Sequence, residues 1–87
     1  MEIIYLPKAV EDLEFWIKSG SRTILKKIAQ LTEAIIEKSY EGVGKPEPLR
    51  YNLSGKWSRR ISLEHRYVYS IIDDTLFVYS LRGHYEK

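Results

Sequence analysis

The sequence predicts an α+β domain with the element order β-α-α-β-β-β, a twisted antiparallel sheet with a two-helix hairpin packed on one face. Three observations carry that expectation. Two amphipathic stretches of helical period are separated only by a turn around Gly20 and Ser21. The segment Glu41-Gly42-Val43-Gly44-Lys45-Pro46-Glu47-Pro48 holds two glycines and two prolines, which interrupt both helix and ladder. Beyond it, alternating apolar and polar residues come in paired runs around short turn sequences, the pattern of hairpins.

The elements follow in order. Ile3 and Tyr5, with Met1, alternate as a short first strand; Pro7 ends it and is tolerated in the first turn of a helix. Residues 8–19 place Ala9, Val10, Leu13, Trp16 and Ile17 on one stripe, with Glu11, Asp12 and Glu14 toward the positive end of the helix dipole and Gly20 as a C-terminal stop. Ser21 is the expected cap of a second helix, in which Ile24, Ile28, Leu31 and Ile35 recur at helical spacing, widened by Leu25 and Ile36. The segment from Glu41 to Pro48 is then a shaped loop displaying Lys45 and Glu47. Residues 49–53 and 57–63 flank Ser54-Gly55-Lys56 as one hairpin, and 66–72 and 76–82 flank Asp73-Asp74-Thr75 as another.

Eighty-seven residues, 44% of them hydrophobic, suffice for one core and not two, so 1–87 reads as a single domain. No apolar run approaches the ~20 residues of a membrane span, and the first residues lack the basic start and apolar stretch of a signal peptide, so a soluble cytoplasmic protein is expected. The absence of cysteine excludes disulfides, thiol nucleophiles and Cys-based metal centres. Two histidines at no metal-binding spacing argue against catalytic zinc. The net charge of +2 is unevenly spread: residues 1–44 carry −1, 45–66 carry +4 and 67–87 carry −1. Within the basic quarter, Lys45, Arg50, Lys56, Arg59, Arg60 and Arg66 are interleaved with Tyr51, Trp57 and Tyr67. That mixture suits phosphates and stacked bases, though a solvated strand face has the same composition.

Strand alternation sorts these side chains by face. Trp57, Arg59, Ile61 and Leu63 share one face, and Ser58, Arg60 and Ser62 the other. With helices over the apolar face, the opposite face gathers Arg60, Arg66, and Arg82 or His84 near Glu47. A carboxylate, arginines and an imidazole around one groove could cleave RNA through its own 2′-hydroxyl. Glu takes the proton, His protonates the departing 5′-oxygen and Arg offsets the charge of the phosphorane. Each residue also has a structural reading: Glu47 as a solvated carboxylate, Arg66 as a surface ion pair, His84 as part of a tail. For His65, beside a strand junction, the structural role is the expected one, and Asn52-Leu53-Ser54 reads as turn chemistry.

The strings from Tyr40 to Leu49, Asn52-Leu53-Ser54-Gly55-Lys56-Trp57-Ser58-Arg59-Arg60-Ile61, Glu64-His65-Arg66-Tyr67-Val68-Tyr69 and Arg82-Gly83-His84-Tyr85 closely resemble the YoeB toxins of the RelE/ParE superfamily. The helical half matches more loosely, through Asp12, Trp16 and Lys26-Lys27-Ile28. The resemblance implies a RelE-like fold and the toxin of a type II toxin–antitoxin pair, a metal-independent, cofactor-free endoribonuclease that cuts mRNA in the ribosomal A site. It assigns Glu47 as general base, His84 as general acid and Arg66 as transition-state clamp. Lys45, Arg50, Arg59, Arg60 and Tyr85 fall at positions implied to contact RNA. Implied partners are the 70S ribosome with its mRNA, an antitoxin whose disordered segment folds on the toxin, and a second copy in a homodimer. Lys56 replaces a typically aromatic residue, Arg50 stands where Lys is common, and Glu86-Lys87 extend past the usual His-Tyr ending. A ParE-like toxin that binds DNA gyrase and a non-catalytic RNA-binding module are the alternatives.

Overall fold

In the computed structural model, which describes residues 1–84, the chain forms β1 (Glu2–Tyr5), α1 (Pro7–Lys18), α2 (Arg22–Glu37), β2 (Glu47–Pro48), β3 (Trp57–Arg60), β4 (Arg66–Ile72) and β5 (Thr75–Ser80), with a single 3-10 turn at Tyr51–Leu53. The transition from β1 to α1 is abrupt because Pro7 needs no hydrogen-bond acceptor for its nitrogen. Leu6, still extended, gives its N–H to Val78 and accepts that of Val10 as the first helical bond. Gly20, at φ +68°, ends the first helix as expected.

The strands form one sheet in the order β1-β5-β4-β3-β2. The helix pair carries the chain from one edge of the sheet to the other, and the antiparallel run β2 to β5 returns it. The returning β5 pairs with β1 in parallel, making the sheet mixed. Alternation has the same period in both kinds of ladder, so the sequence pattern does not distinguish them. Ala9 and Trp16 of α1 and Ile28, Leu31 and Ile35 of α2 pack on Ile61, Tyr67, Tyr69, Leu76, Val78 and Leu81. The other sheet face stays open. Both apolar stripes are narrower than the spacing suggested, since Val10, Ile17 and Ile36 are exposed.

Four local expectations are corrected. Residues 49–53 are not a strand. Pro48 offers no N–H to a ladder, and the chain turns through the 3-10 segment, with Leu49 N–H returning to the Lys56 carbonyl. Second, β3 stops at Arg60, because the N–H groups of Ile61 and Ser62 turn to the His65 carbonyl, leaving Leu63 exposed. Ser21 precedes α2 but makes no side-chain cap; its hydroxyl pairs with that of Ser19 at 2.8 Å. Finally, the first turn of α1 carries no acid, and Asp12 is turned inward to other partners.

Candidate active site

Cross-strand register builds the open face. Glu47 on β2 stands opposite Ser58 on β3, and two residues along β3, on the same face, Arg60 stands opposite Arg66 on β4. Like charges directly opposite repel, so a site between these arginines favours an anion. The two ion pairs found among the described residues, Lys8–Asp12 and Lys38–Glu41, lie elsewhere. Glu47 and Arg60 are exposed. The Arg66 guanidinium is partly fixed from behind: Nη1 donates to the carbonyls of Ser62 (2.8 Å), Leu63 and His65 (3.2 Å each). Nε and Nη2 have no protein acceptor among the described residues. Further along the face the Lys56 ammonium lies 4.3 Å from the centre of the Tyr79 ring, whose hydroxyl pairs with Ser70.

His84 reaches the neighbourhood of Arg66 through the backbone. The Arg66 N–H donates to the Gly83 carbonyl at 3.0 Å, and the Gly83 N–H donates to His65 Nδ1 at 2.9 Å. His65 therefore has the structural role expected of it, with its ring proton on Nε2 in the neutral form. His84 itself is exposed. Tyr85 lies outside the described residues. Lys45, at φ +51°, and Arg50 are exposed on either side of β2. Arg82 does not join the open face; it stacks 4.0 Å from the Phe15 ring of α1.

Arg59 is the main correction among the candidate RNA contacts. Alternation places it on the helix-covered face opposite Tyr67, and it is 0% exposed. Its guanidinium donates to the carbonyls of Lys38 (2.6 Å), Glu41 (3.0 Å) and Val43 (3.0 Å) and to the Tyr69 hydroxyl (3.3 Å), which in turn donates to Ser39. A buried cation without a carboxylate is tolerable here because four acceptors surround it, one of them the carbonyl of Lys38 at the C-cap of α2, the negative end of the helix dipole. With these bonds Arg59 shapes the loop between α2 and β2 instead of meeting a phosphate. Gly44 completes the join: its carbonyl accepts the Arg60 N–H, and at φ +88° an added Cβ would lie 2.8 Å from Leu31 Cδ2. Burial raises the Tyr69 hydroxyl above its ordinary range against the lowering effect of Arg59, and burial raises Tyr67 further, its bond to Thr32 opposing.

The two side chains that sequence reasoning did not bring to the site are Asp12 and Trp16. Asp12 Oδ2 accepts the Leu81 N–H at 2.9 Å, and Trp16 Nε1 donates to the Leu81 carbonyl at 2.9 Å. The signal available was an acid inside an otherwise apolar helical stripe.

A two-helix hairpin over a mixed five-stranded sheet, with paired arginines and a carboxylate on the open face, defines the class: a small α+β protein with a charged open face. The comparisons with known proteins make the class specific. Residues 5–85 match the family described as the YoeB-like toxin of bacterial type II toxin-antitoxin system, and the chain belongs to that family. It is 49% identical over 72 residues to Toxin YoeB of Synechocystis sp., covering 83% of this chain and 84% of that one. The YoeB/ParE toxin from Agrobacterium tumefaciens superposes with a TM-score of 0.93 at 36% identity, over 98% of this chain and 100% of that chain. YoeB of Staphylococcus aureus, solved as a dimer and as a YoeB-YefM complex, gives 0.88 at 38% identity over 98% of both chains.

Proposed function

We propose that this toxin is a ribosome-dependent endoribonuclease that cuts mRNA in the A site by acid–base chemistry, without a metal or other cofactor. The observation that carries the reading is the Arg60–Arg66 pair across β3 and β4, with Glu47 on the same face to one side and the Gly83-His84 segment bonded to Arg66 on the other. Glu47 takes the proton of the 2′-hydroxyl as that oxygen attacks phosphorus. The bond from phosphorus to the 5′-oxygen breaks, and His84 protonates the departing oxygen, leaving a 2′,3′-cyclic phosphate that water opens to a 3′-phosphate. Arg66 holds the charge that is fully developed only in the phosphorane; part of its guanidinium is fixed on backbone carbonyls, so it is preorganised for that task. Arg60, Lys45 and Arg50 supply exposed positive charge to the message, and Tyr85 completes the site beyond the described residues.

The partners of the reaction are the 70S ribosome with its mRNA in the cytoplasm. The S. aureus YoeB structures support two more, an antitoxin and a second copy forming a homodimer; the antitoxin engages this chain through a disordered segment that folds on it. The test is translation in a purified system with primer extension on the message, comparing the wild-type chain with Glu47→Gln. Cleavage in the A-site codon, lost on substitution, with cyclic-phosphate products and survival of EDTA on a minimal RNA, is expected. RNA or ribosome binding that is indifferent to Glu47→Gln and accompanied by no cleavage would make the chain a binding module. Inhibition of DNA gyrase without RNA cleavage would place it with gyrase-directed toxins.

A further inference from the structure

The ladder of β5 ends at Ser80, so the backbone from Leu81 to Gly83 lies outside it, yet the polar groups of Leu81 and Gly83 are individually held. The N–H of Leu81 goes to Asp12 Oδ2, its carbonyl receives Trp16 Nε1, the N–H of Gly83 goes to His65 Nδ1 and its carbonyl receives the Arg66 N–H, all at 2.9–3.0 Å. Three of these four partners are side chains distant in sequence. Asp12 is 4% exposed on the core stripe of α1, and Lys8 grips both of its oxygens at 2.8 and 2.9 Å. The Trp16 ring meets the His65 ring edge-on, with centroids 4.8 Å apart, so the indole also fixes the imidazole plane. We propose that Asp12, Trp16 and His65 form a clamp whose task is to position His84: they are positioning residues that act through the backbone of residues 81–83 on the acid of the reaction.

The physical case rests on lever arm and on economy. His84 follows Gly83 directly, and Gly83, at φ +80°, is where the chain turns back toward β4. Displacement at residues 81–83 is therefore carried into the backbone of His84, and a misplacement of about 1 Å can cost on the order of 10²-fold in rate. Leu or Ile at position 12 would fill the same space but leave the buried Leu81 N–H without its acceptor. An acid there brings a desolvation cost that the peptide of Leu81 and the Lys8 ammonium offset.

The inference depends on the catalytic reading of His84, and the experiment separates the two. Gly83 and Leu81 amide exchange, read by NMR alongside the Val78 and Tyr69 amides, reports the clamp without reference to activity; single-turnover cleavage on programmed ribosomes reports its consequence. In folded His65→Ala the Gly83 amide should exchange at least tenfold faster with the core amides unchanged, and the cleavage rate should fall about 10²-fold while the half-saturating ribosome concentration moves less than threefold. His65→Asn, whose Oδ1 takes the place of Nδ1 as acceptor, should restore both to within tenfold of wild type. Asp12→Leu, which removes the carboxylate that accepts the Leu81 N–H and keeps a side chain of similar size, gives the same comparison at Leu81 if His65→Ala does not fold. Unchanged exchange, or a folded variant cutting within threefold of wild type, overturns the clamp. A wild-type chain with a protected Gly83 amide and no cleavage at all overturns the catalytic reading, and the clamp's purpose with it.

Discussion

Replacing Arg59 by Met should unfold the protein more readily, while the same change at Arg60 should leave stability alone and weaken RNA binding. The two arginines are adjacent, and alternation sends them to opposite faces of β3. Arg59→Met keeps the apolar stem and removes a guanidinium that serves three loop carbonyls and the Tyr69 hydroxyl. Four bonds at about 0.5–1.5 kcal/mol each give a gross loss of about 2–6 kcal/mol. Two effects reduce it: the buried cation's own desolvation cost disappears, and Lys38, Glu41 and Val43 are exposed, so water can reach their carbonyls once the loop shifts. A net loss of about 2–4 kcal/mol remains, a large share of what a domain of this size possesses. With a urea slope of about 1 kcal/mol/M, the unfolding midpoint should fall by about 2–4 M at unchanged slope. Arg60→Met should move it by less than about 0.5 M and instead lower the slope of log affinity for RNA against log salt by about one unit. A folded Arg59→Met with a wild-type midpoint and the reduced salt slope would refute the assignment of Arg59 to the loop.

Arg66→Ala should lower the cleavage rate by about 10²- to 10³-fold, read by primer extension, with a modest loss of stability because three carbonyls of the turn lose their donor. Gly44→Ala should destabilise by about 1–3 kcal/mol in denaturant titration, since the added methyl would lie 2.8 Å from Leu31 Cδ2 and 3.1 Å from Arg59 Cβ on a backbone at φ +88°. Stability should also fall in alkali. The folded Tyr67 phenol binds its proton more tightly than the unfolded one, whose ordinary value is 10.0, so its contribution is intact below pH 10.0 and is lost above it at up to about 1.4 kcal/mol per pH unit. Tyr67→Phe should remove that phenol's share of the loss, and Thr32 keeps its bond to the Ile28 carbonyl.

Where periodicity decides the structure, the sequence was readable: both helices, the 66–72 strand and its partner, and the open face carrying Arg60 and Arg66 lie where spacing put them. The errors fall where single residues overrule the period. Pro48 shortened β2 to two residues, and the turn carbonyl of His65 captured the N–H groups that would have extended β3. Arg59 is instructive because two lines of inference disagreed. Alternation grouped it with Trp57 and Ile61 on the covered face, whereas resemblance grouped it with the RNA contacts. Side-chain geometry sides with alternation, because a buried guanidinium can be satisfied by carbonyls about 20 residues back in the chain, a partnership that no local pattern displays. Asp12 was hidden for the same reason, since its partner is the peptide of Leu81.

These long-range bonds explain how the two ends of the candidate site are held. Arg60 and Arg66 stand opposite each other on the interior strands β3 and β4, each of which has a neighbouring strand on both sides. The candidate base and acid have no such security: Glu47 lies on a two-residue edge strand and His84 lies four residues past the end of β5. At each of these weak ends the fold inserts buried or half-buried polar side chains that bond to backbone, Arg59 behind the loop leading to Glu47 and Asp12, Trp16 and His65 behind the segment leading to His84. Backbone is the right target, since it fixes a segment whatever side chains that segment presents to solvent. The open face can then vary in its exposed charges, as Arg50 and Lys56 already suggest, while the separation of the two ends is set from the opposite, buried side of the sheet. It follows that substitutions at the buried pegs should alter the rate of the chemical step, and substitutions at Lys45, Arg50 or Arg60 should alter binding and its salt dependence, with little crossing between the two classes.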